Sequence, residues 1–346
     1  MSVKRAAAGS FSVVFRPRAL AVGTGCAVLA LAGAVFAIAA GSGDYPMNPL
    51  DVLRVLTGSG APGDEFVVEE LRLPRTATAL LVGAAFGLGG AVFQTVVRNP
   101  LGSPDVLGFT SGSATGALTA VVLIGGGSTA LAFGAVFGGL ATGLLIYLLA
   151  WRQGVHGYRL VLVGIGVMAI LTGVNGYLLT RAQILEAGRA VLWITGSLDG
   201  RGWEDALPLL VALVVLLPVV LLYCARPLRM LEMGDDAASG LGIAVEHVRL
   251  TVLTAAVLLV SFASAAAGPV AFVALTAPQL ARRLTRAPGP NLLPALFMGA
   301  ALLVVADLAA QRLIPGHTLP VGVVTGVAGG AYLVWLLATE RRAGRI

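Results

Sequence analysis

The fold of this chain is decided by a polar segment set between long apolar ones, Arg226–Arg249, which reads RPLRMLEMGDDAASGLGIAVEHVR. It carries charges of both signs, so it has to face water if its neighbours cross a membrane. Leu228 and Leu231 stand at helical spacing, Gly234 breaks the pattern, and Asp235 suits the first turn of a second helix. We therefore predict two short helices joined at a glycine. Such a compact loop usually meets a partner, and a solvated connector is the alternative.

The composition is that of a polytopic membrane protein. The chain of 346 residues is 57% hydrophobic and only 12% charged, with a mean hydropathy of +0.91, which excludes an ordinary soluble domain. Its apolar stretches, of roughly 18 to 22 residues, can each cross a ~30 Å hydrocarbon layer as a helix. The 46 glycines suit close helix contacts in lipid. We expect an all-α fold.

Residue usage excludes several kinds of chemistry. Lys4 is the only lysine, so the body of the chain has no Walker lysine and no Schiff-base lysine. Each of the three histidines lacks a second metal ligand at helical spacing. Cys26 and Cys224 fall in or beside apolar segments. We therefore predict no catalytic residues, no metal site and no disulfide framework.

Ten apolar spans are predicted within a single transmembrane domain, residues 19–338, flanked by basic tails at 1–18 and 339–346. The spans are 19–40, 76–97, 106–124, 129–150, 160–180, 207–224, 250–267, 269–284, 292–313 and 320–338. A signal peptide is the alternative for the first span, but its length and the spans that follow favour an uncleaved helix. The join before Pro269 is tight, which leaves nine or eleven spans as alternatives.

The loops set the orientation. With ten spans both termini share one side, and the segments on that side hold 16 of the 23 lysines and arginines but 6 of the 17 acids. The positive-inside rule then places both termini and residues 226–249 in the cytoplasm. Residues 98–105, RNPLGSPD, contain two prolines and break the helix near membrane depth, where irregular backbone is buried in protein or lines water.

Five stretches together resemble the permease subunits of type II ABC importers for ferric siderophores, haem and cobalamin, the FecCD-like family. They are Leu71–Gly116 (LRLPRTATALLVGAAFGLGGAVFQTVVRNPLGSPDVLGFTSGSATG), Trp193–Trp203 (WITGSLDGRGW), Leu231–Gly242, Gly268–Arg282 (GPVAFVALTAPQLAR) and Leu319–Thr325 (LPVGVVT). They follow the family's order over residues 51–337. The resemblance implies a type II ABC importer permease of about ten helices in the bacterial inner membrane. It is a transport subunit and not an enzyme, and its cargo is an iron chelate, with a ferric siderophore favoured over haem or cobalamin.

The resemblance also implies partners. They are a second permease subunit, either another copy or a paralogue, two cytoplasmic ATPase subunits that bind ATP-Mg, a substrate-binding protein outside, and the lipid bilayer. Neither a cofactor bound by this chain nor a nucleic acid is expected. Residues 226–249 become the coupling helices, with contacts to the ATPase carried by Leu231, Glu232, Met233, Gly234, Ser239, Leu241 and Gly242.

The arginines of LRLPR, Arg72 and Arg75, match positions that the family uses to dock acidic residues of the binding protein. The arginine fork can hold a carboxylate at two points, and interfacial anchoring is the alternative. Gln311 stands where the family's third docking arginine is expected, so Arg312 serves only if the helix end rotates. Asp307 lies inside a span, and we favour a structural role for it near the outer end.

The fifth span is identified by the resemblance as the helix that lines the translocation path. Its weakly polar face includes Gly164, Thr172 and Asn175, and small residues for helix packing are an equal alternative. Gln279 joins the path prediction and occupies a place where the family often has histidine.

Two other classes of protein remain as alternatives. An ion-coupled secondary transporter needs a site at the membrane midplane, and Asp307 is its only candidate carboxylate well inside a span. A membrane-embedded enzyme needs clustered acids, histidines or a nucleophile–base pair at one depth, and the sequence offers no such cluster.

Overall fold

The fold is almost entirely helical, as predicted. The computed structural model describes residues 4–8, 11–15, 17–40, 47–151, 157–314 and 316–342. Two short strands, β1 (Lys4–Ala8) and β2 (Phe11–Phe15), pair antiparallel within the segment predicted as an N-terminal tail. The all-α prediction is otherwise confirmed for the described residues.

Fifteen α-helices follow the strands in the described residues. The first eight are α1 (Pro17–Ala40), α2 (Pro49–Leu56), α3 (Pro62–Glu65), α4 (Leu73–Val97), α5 (Phe109–Val122), α6 (Ser128–Ala150), α7 (Gly157–Arg181) and α8 (Ile184–Thr195). The others are α9 (Trp203–Pro218), α10 (Ala225–Leu231), α11 (Asp235–Gly240), α12 (Val245–Ala267), α13 (Val273–Thr285), α14 (Leu292–Arg312) and α15 (Val321–Arg342). Two π-helical segments, Phe66–Arg72 and Val219–Cys224, make α3 continuous with α4 and α9 continuous with α10.

Each of the ten predicted spans overlaps a helix. Among the described residues, seven helical stretches are long and apolar enough to cross a membrane: Pro17–Ala39, Pro62–Val97, Ser128–Ala150, Gly157–Arg181, Trp203–Leu231, Val245–Ala267 and Leu292–Arg312. An eighth apolar stretch, Val321–Leu336, is shorter. The predicted spans 106–124 and 269–284 are only partly helical, because α5 has 14 residues and α13 has 13. A helix of that length rises roughly 20 Å, less than the hydrocarbon thickness.

The two short helices are preceded by irregular backbone that completes each span. The predicted start of the eighth span at Pro269 is wrong, because helix α13 begins only after Phe272, which has a φ of 67°. Helix α5 likewise begins after Gly108, with a φ of 83°. The two breaks meet, since the Asp105 carboxyl interacts with the Thr110 hydroxyl and the Phe272 backbone N–H. Irregular backbone is therefore covered by protein, as the membrane requires.

Helix α4 is the centre of the bundle and is buried along most of its length against α14, α12 and α13. Its glycines allow this. A Cβ on Gly83 would overlap the backbone of Gly299 on α14, and a Cβ on Gly90 would overlap the carbonyl of Ala274 on α13. The predicted use of small residues for close helix contact is confirmed here.

Helix α4 also separates two polar ends of the molecule. Near its start, Arg75 pairs with Asp307. Just after its end, Arg98 lies 3.8 Å from Asp235. The 25 residues of α4 rise roughly 37 Å. We call these the Asp307 end and the Asp235 end of the bundle.

Candidate functional site

The polar segment 226–249 forms the two short helices predicted for it. Helix α10 ends at Leu231 and α11 begins at Asp235. Gly234 between them has φ 110° and ψ 156°, and Gly242 after α11 has a φ of 80°. Residues other than glycine rarely adopt such backbone angles, so both turns depend on glycine. We call residues 226–249, with a glycine at each of these turns, the hinged segment.

The side chains of the segment divide into an anchored set and an outward set. Leu228, Leu231 and Ala238 are buried against the bundle, whereas Met233 is 60% exposed and Leu241 is 59% exposed. Leu231 therefore fixes the segment to this chain, and its predicted direct contact with another subunit does not fit its burial. The exposed pair of apolar side chains is the surface that a partner can reach.

Ion pairs tie the segment to three helices. Asp235 lies 2.9 Å from Arg249 on α12 and 3.8 Å from Arg98 at the end of α4. The Arg249 side chain is only 3% exposed and also pairs with Glu246. Glu232, just after α10, lies 4.0 Å from Arg282 on α13. The segment is therefore linked by ion pairs to α4, α12 and α13, which the local sequence pattern did not indicate.

A polar cleft of about 330 Å³ opens at the Asp307 end. It is lined by residues of α1, the π-helical segment, α4, the loop after α8 and α14: Ala37, Glu70, Leu71, Arg72, Arg75, Thr76, Asp199, Gly200, Arg201, Gly202 and Gln311. Both arginines of the LRLPR motif lie in it. This cleft is the predicted docking region.

Arg75 is held by one buried carboxylate and one exposed carboxylate. Its Nε and Nη2 donate to Asp307, with a shortest distance of 2.9 Å, and its Nη1 lies 3.2 Å from Asp199. The Asp307 side chain is 4% exposed and the Asp199 side chain is 66% exposed. Gln311 donates a further bond of 2.6 Å to Asp307. Asp307 therefore has the structural role that the sequence favoured, because it fixes the Arg75 guanidinium in the cleft wall.

The other predicted docking arginines are placed differently. Arg72 is buried, at 7% exposure, and its Nη1 donates to the carbonyl of Ile38 at 3.0 Å, so it joins α1 to the start of α4. Arg312 lies over the ring of Phe36, 5.6 Å from the centroid, and Gln311 lines the cleft instead. The sequence did not single out Arg201, which lines the cleft.

The predicted path residues on α7 fall on two faces. A Cβ on Gly164 would touch Leu107, and buried Asn175 accepts a bond of 2.7 Å from Thr115. These two residues therefore pack α7 against α5 and the segment before it. Thr172 is exposed and lies roughly 60–80° around the helix from those two residues. Glycines 166, 173 and 176 have no neighbour within 4 Å of an added Cβ. Of the three α7 residues, only Thr172 has a side chain that a substrate or another subunit can reach.

Gln279 takes part in an amide cluster that closes over the irregular segment before α5. Its Nε2 donates to the Gln94 side chain at 2.7 Å and to the carbonyl of Pro100 at 2.9 Å. Gln94 in turn donates to the carbonyl of Leu275. The cluster joins α4, α13 and residues 98–104 near the Asp235 end. Gln279 therefore has a structural contact here beside its predicted place on the path.

The part of the chain that the structure describes contains neither a cluster of metal ligands nor a disulfide. Those residues contain no group of three or more His, Cys, Asp or Glu side chains able to hold a metal ion. Cys26 and Cys224 are both buried free thiols.

Comparison with known proteins assigns the chain to a family. The model of the FecCD transport family matches residues 14–339. The ferric enterobactin transport system permease protein FepG of Escherichia coli (strain K12) is 46% identical over 301 residues, 87% of this chain and 91% of the relative. The iron(3+)-hydroxamate import system permease protein FhuG of Bacillus subtilis (strain 168) is 39% identical over 315 residues, 88% and 93% of the two chains.

A solved structure has the same architecture. It is described as an inward-facing metal-chelate type ABC transporter, with a TM-score of 0.78, 26% identity, and coverage of 92% of this chain and 99% of the other. The family match spans nearly every helix of the bundle, from the start of α1 to α15. This chain belongs to the FecCD transport family.

Proposed function

We propose that this chain is the permease subunit of an ABC importer that carries a ferric siderophore into the cytoplasm of a bacterium. Its relatives FepG and FhuG are named for ferric enterobactin and for iron(3+)-hydroxamates, chelates of different ligand chemistry. What they share is the ferric chelate, which supports that substrate class for this chain rather than one particular siderophore. ATP-Mg belongs to separate ATPase subunits in this proposal.

The observation that carries the proposal is the construction of the hinged segment. Met233 and Leu241 are exposed apolar side chains, while buried Leu231 and the Asp235 ion pairs fix the segment to the bundle. Such a segment can receive a push from a subunit seated on it and pass the push to three helices. A solvated connector would not require a buried anchor or ion pairs to neighbouring helices.

The Asp307 end completes the proposal on the other side of the membrane. Arg75 is held with its outer edge toward a cleft of about 330 Å³, and an arginine fork is suited to a carboxylate of an incoming protein. We assign this end to the outside and the cleft to docking of a substrate-binding protein. The open face of α7 around Thr172 is assigned to the path and to a second permease subunit.

The structure disfavours an ion-coupled secondary transporter. Asp307 was the candidate coupling carboxylate, but it already binds Arg75 and Gln311. It also lies five residues before the end of α14, about 8 Å from that end. Uptake that continues after a proton uncoupler, as long as ATP is supplied, is the expected behaviour.

Cysteine labelling tests the assignment of the two ends. The Met233→Cys variant places a thiol on the outward pair, and Ile184→Cys places one on a residue that is 92% exposed, three positions after α7 ends at the Asp307 end. The native thiols of Cys26 and Cys224 are buried. We expect a membrane-impermeant maleimide to label Ile184→Cys on intact cells. Met233→Cys should react only after permeabilisation and should cross-link to the ATPase subunit.

The opposite labelling pattern would contradict the proposed orientation. The coupling role would be contradicted by a second result. In permeabilised cells the Met233→Cys thiol would react with the maleimide, but the ATPase subunit would neither protect it from the reagent nor cross-link to it.

A further inference from the structure

We propose that Asp199 is an internal competitor for the carboxylate that docks on Arg75. This inference rests on the proposed docking role of the cleft and deepens it, because it identifies what a partner displaces. Asp199 occupies the outer side of the guanidinium, and its removal is expected to strengthen docking.

The geometry leaves one edge of Arg75 for a partner. The inner edge, formed by Nε and one N–H of Nη2, is filled by Asp307 at distances of 2.9 to 3.3 Å. Asp307 is buried and held a second time by Gln311, so an incoming group cannot displace it readily. The remaining N–H groups belong to Nη1 and to the second hydrogen of Nη2. Asp199 lies 3.2 Å from Nη1.

The Asp199 carboxylate can be displaced from the Arg75 guanidinium. Its side chain is 66% exposed, whereas that of Arg75 is 13% exposed. It stands on a loop with glycines of positive φ on either side, Gly196 at 81° and Gly200 at 66°. The backbone just before Asp199 is held, because the N–H of Ser197 donates to Ala267 at 2.8 Å and Leu198 is buried. The exposed Asp199 carboxylate can therefore turn away from Arg75 by rotation of its own side chain.

A partner carboxylate that binds Nη1 must take the position that Asp199 holds. Two carboxylates on the same edge repel each other, so the partner binds well only to the fraction of molecules in which Asp199 has moved away. Apparent affinity falls with that fraction. An exposed ion pair of this kind corresponds to roughly a two- to fivefold effect on an equilibrium.

The test compares two variants that each remove one negative charge at the same end of the molecule. Asp199→Asn removes the competitor and keeps its shape, while Glu204→Gln removes an exposed charge at the start of α9. The probe is the substrate-binding protein that supports ferric-siderophore uptake through this chain, measured against the permease–ATPase complex in lipid nanodiscs. We expect Asp199→Asn to bind roughly two- to fivefold more tightly than Glu204→Gln. The Glu204→Gln variant accounts for the long-range effect of removing one negative charge at this end.

Each outcome decides the matter. Equal affinities of the two variants, or weaker binding by Asp199→Asn, would overturn the competitor role while leaving the docking site intact. A wild-type complex that binds no substrate-binding protein at all would instead overturn the docking part of the proposed function, and the inference with it. The wild-type measurement alone separates these two failures.

Discussion

Replacing Gly234 with alanine is expected to uncouple ATP hydrolysis from uptake. The residue has φ 110° and ψ 156°, a region of backbone conformation that is essentially restricted to glycine, and a side chain there costs on the order of 1–3 kcal/mol. A Cβ would also lie 3.4 Å from an Nη atom of Arg98, beside the Arg98–Asp235 ion pair. A free energy of this size corresponds to roughly a 5- to 150-fold change in a coupling equilibrium.

Gly240 supplies the matched control. It lies at the end of α11, six residues after Gly234, and a Cβ there would meet no atom within 4 Å. Alanine is favoured over glycine in a helix, so Gly240→Ala should leave the segment unchanged. The chain therefore offers the same substitution at a strained joint and at a relaxed position.

The assay is the ratio of siderophore taken up to ATP hydrolysed, in proteoliposomes that contain the permease and its ATPase. We expect Gly234→Ala to lower this ratio at least about fivefold while hydrolysis continues, and Gly240→Ala to leave it unchanged. Equal ratios in the two variants would refute the argument from backbone strain to coupling.

Two further predictions concern stability. Gly83→Ala should lower the thermal unfolding midpoint in detergent, because its Cβ overlaps the backbone of Gly299 and overpacking costs about 1–3 kcal/mol. Gly176→Ala, whose Cβ meets open space, is the control, and equal midpoints would contradict this packing. Arg75→Gln should destabilise the fold by roughly 3–5 kcal/mol, since it leaves the buried Asp307 carboxylate without its charged partner. Adding Asp307→Asn should recover most of this loss, and a double variant no more stable than Arg75→Gln would argue against the pair.

The hinged segment could be predicted because its signals are local. Charges of both signs, a glycine between two short helical patterns and an acidic first turn all lie within residues 226–249. The spans could be predicted equally well, since the length of an apolar span is set by the membrane itself. The start of α13 could not be predicted, because Pro269 suits the first turn of a helix. The chain instead stays irregular up to Phe272, whose side chain packs where a Cβ on Gly329 would lie.

The contacts of the cleft arginines could not be predicted from local sequence patterns. Arg75 and Asp307 are 232 positions apart, and a motif that marks Arg72 and Arg75 alike does not say that Arg72 turns inward to Ile38. One signal was available. An acid inside a span needs a basic partner, and near the C-terminal end of α14 the choice lay between the LRLPR arginines and Arg312.

In the proposed mechanism the segment around Gly234 receives its force from a separate ATPase. The most direct measurement is ATP-dependent uptake of a ferric siderophore into proteoliposomes loaded with this permease, its binding protein, and either the ATPase subunit or none. Uptake is expected only with the ATPase present and ATP on the Asp235 side. Accumulation of the siderophore against its gradient without the ATPase would contradict it.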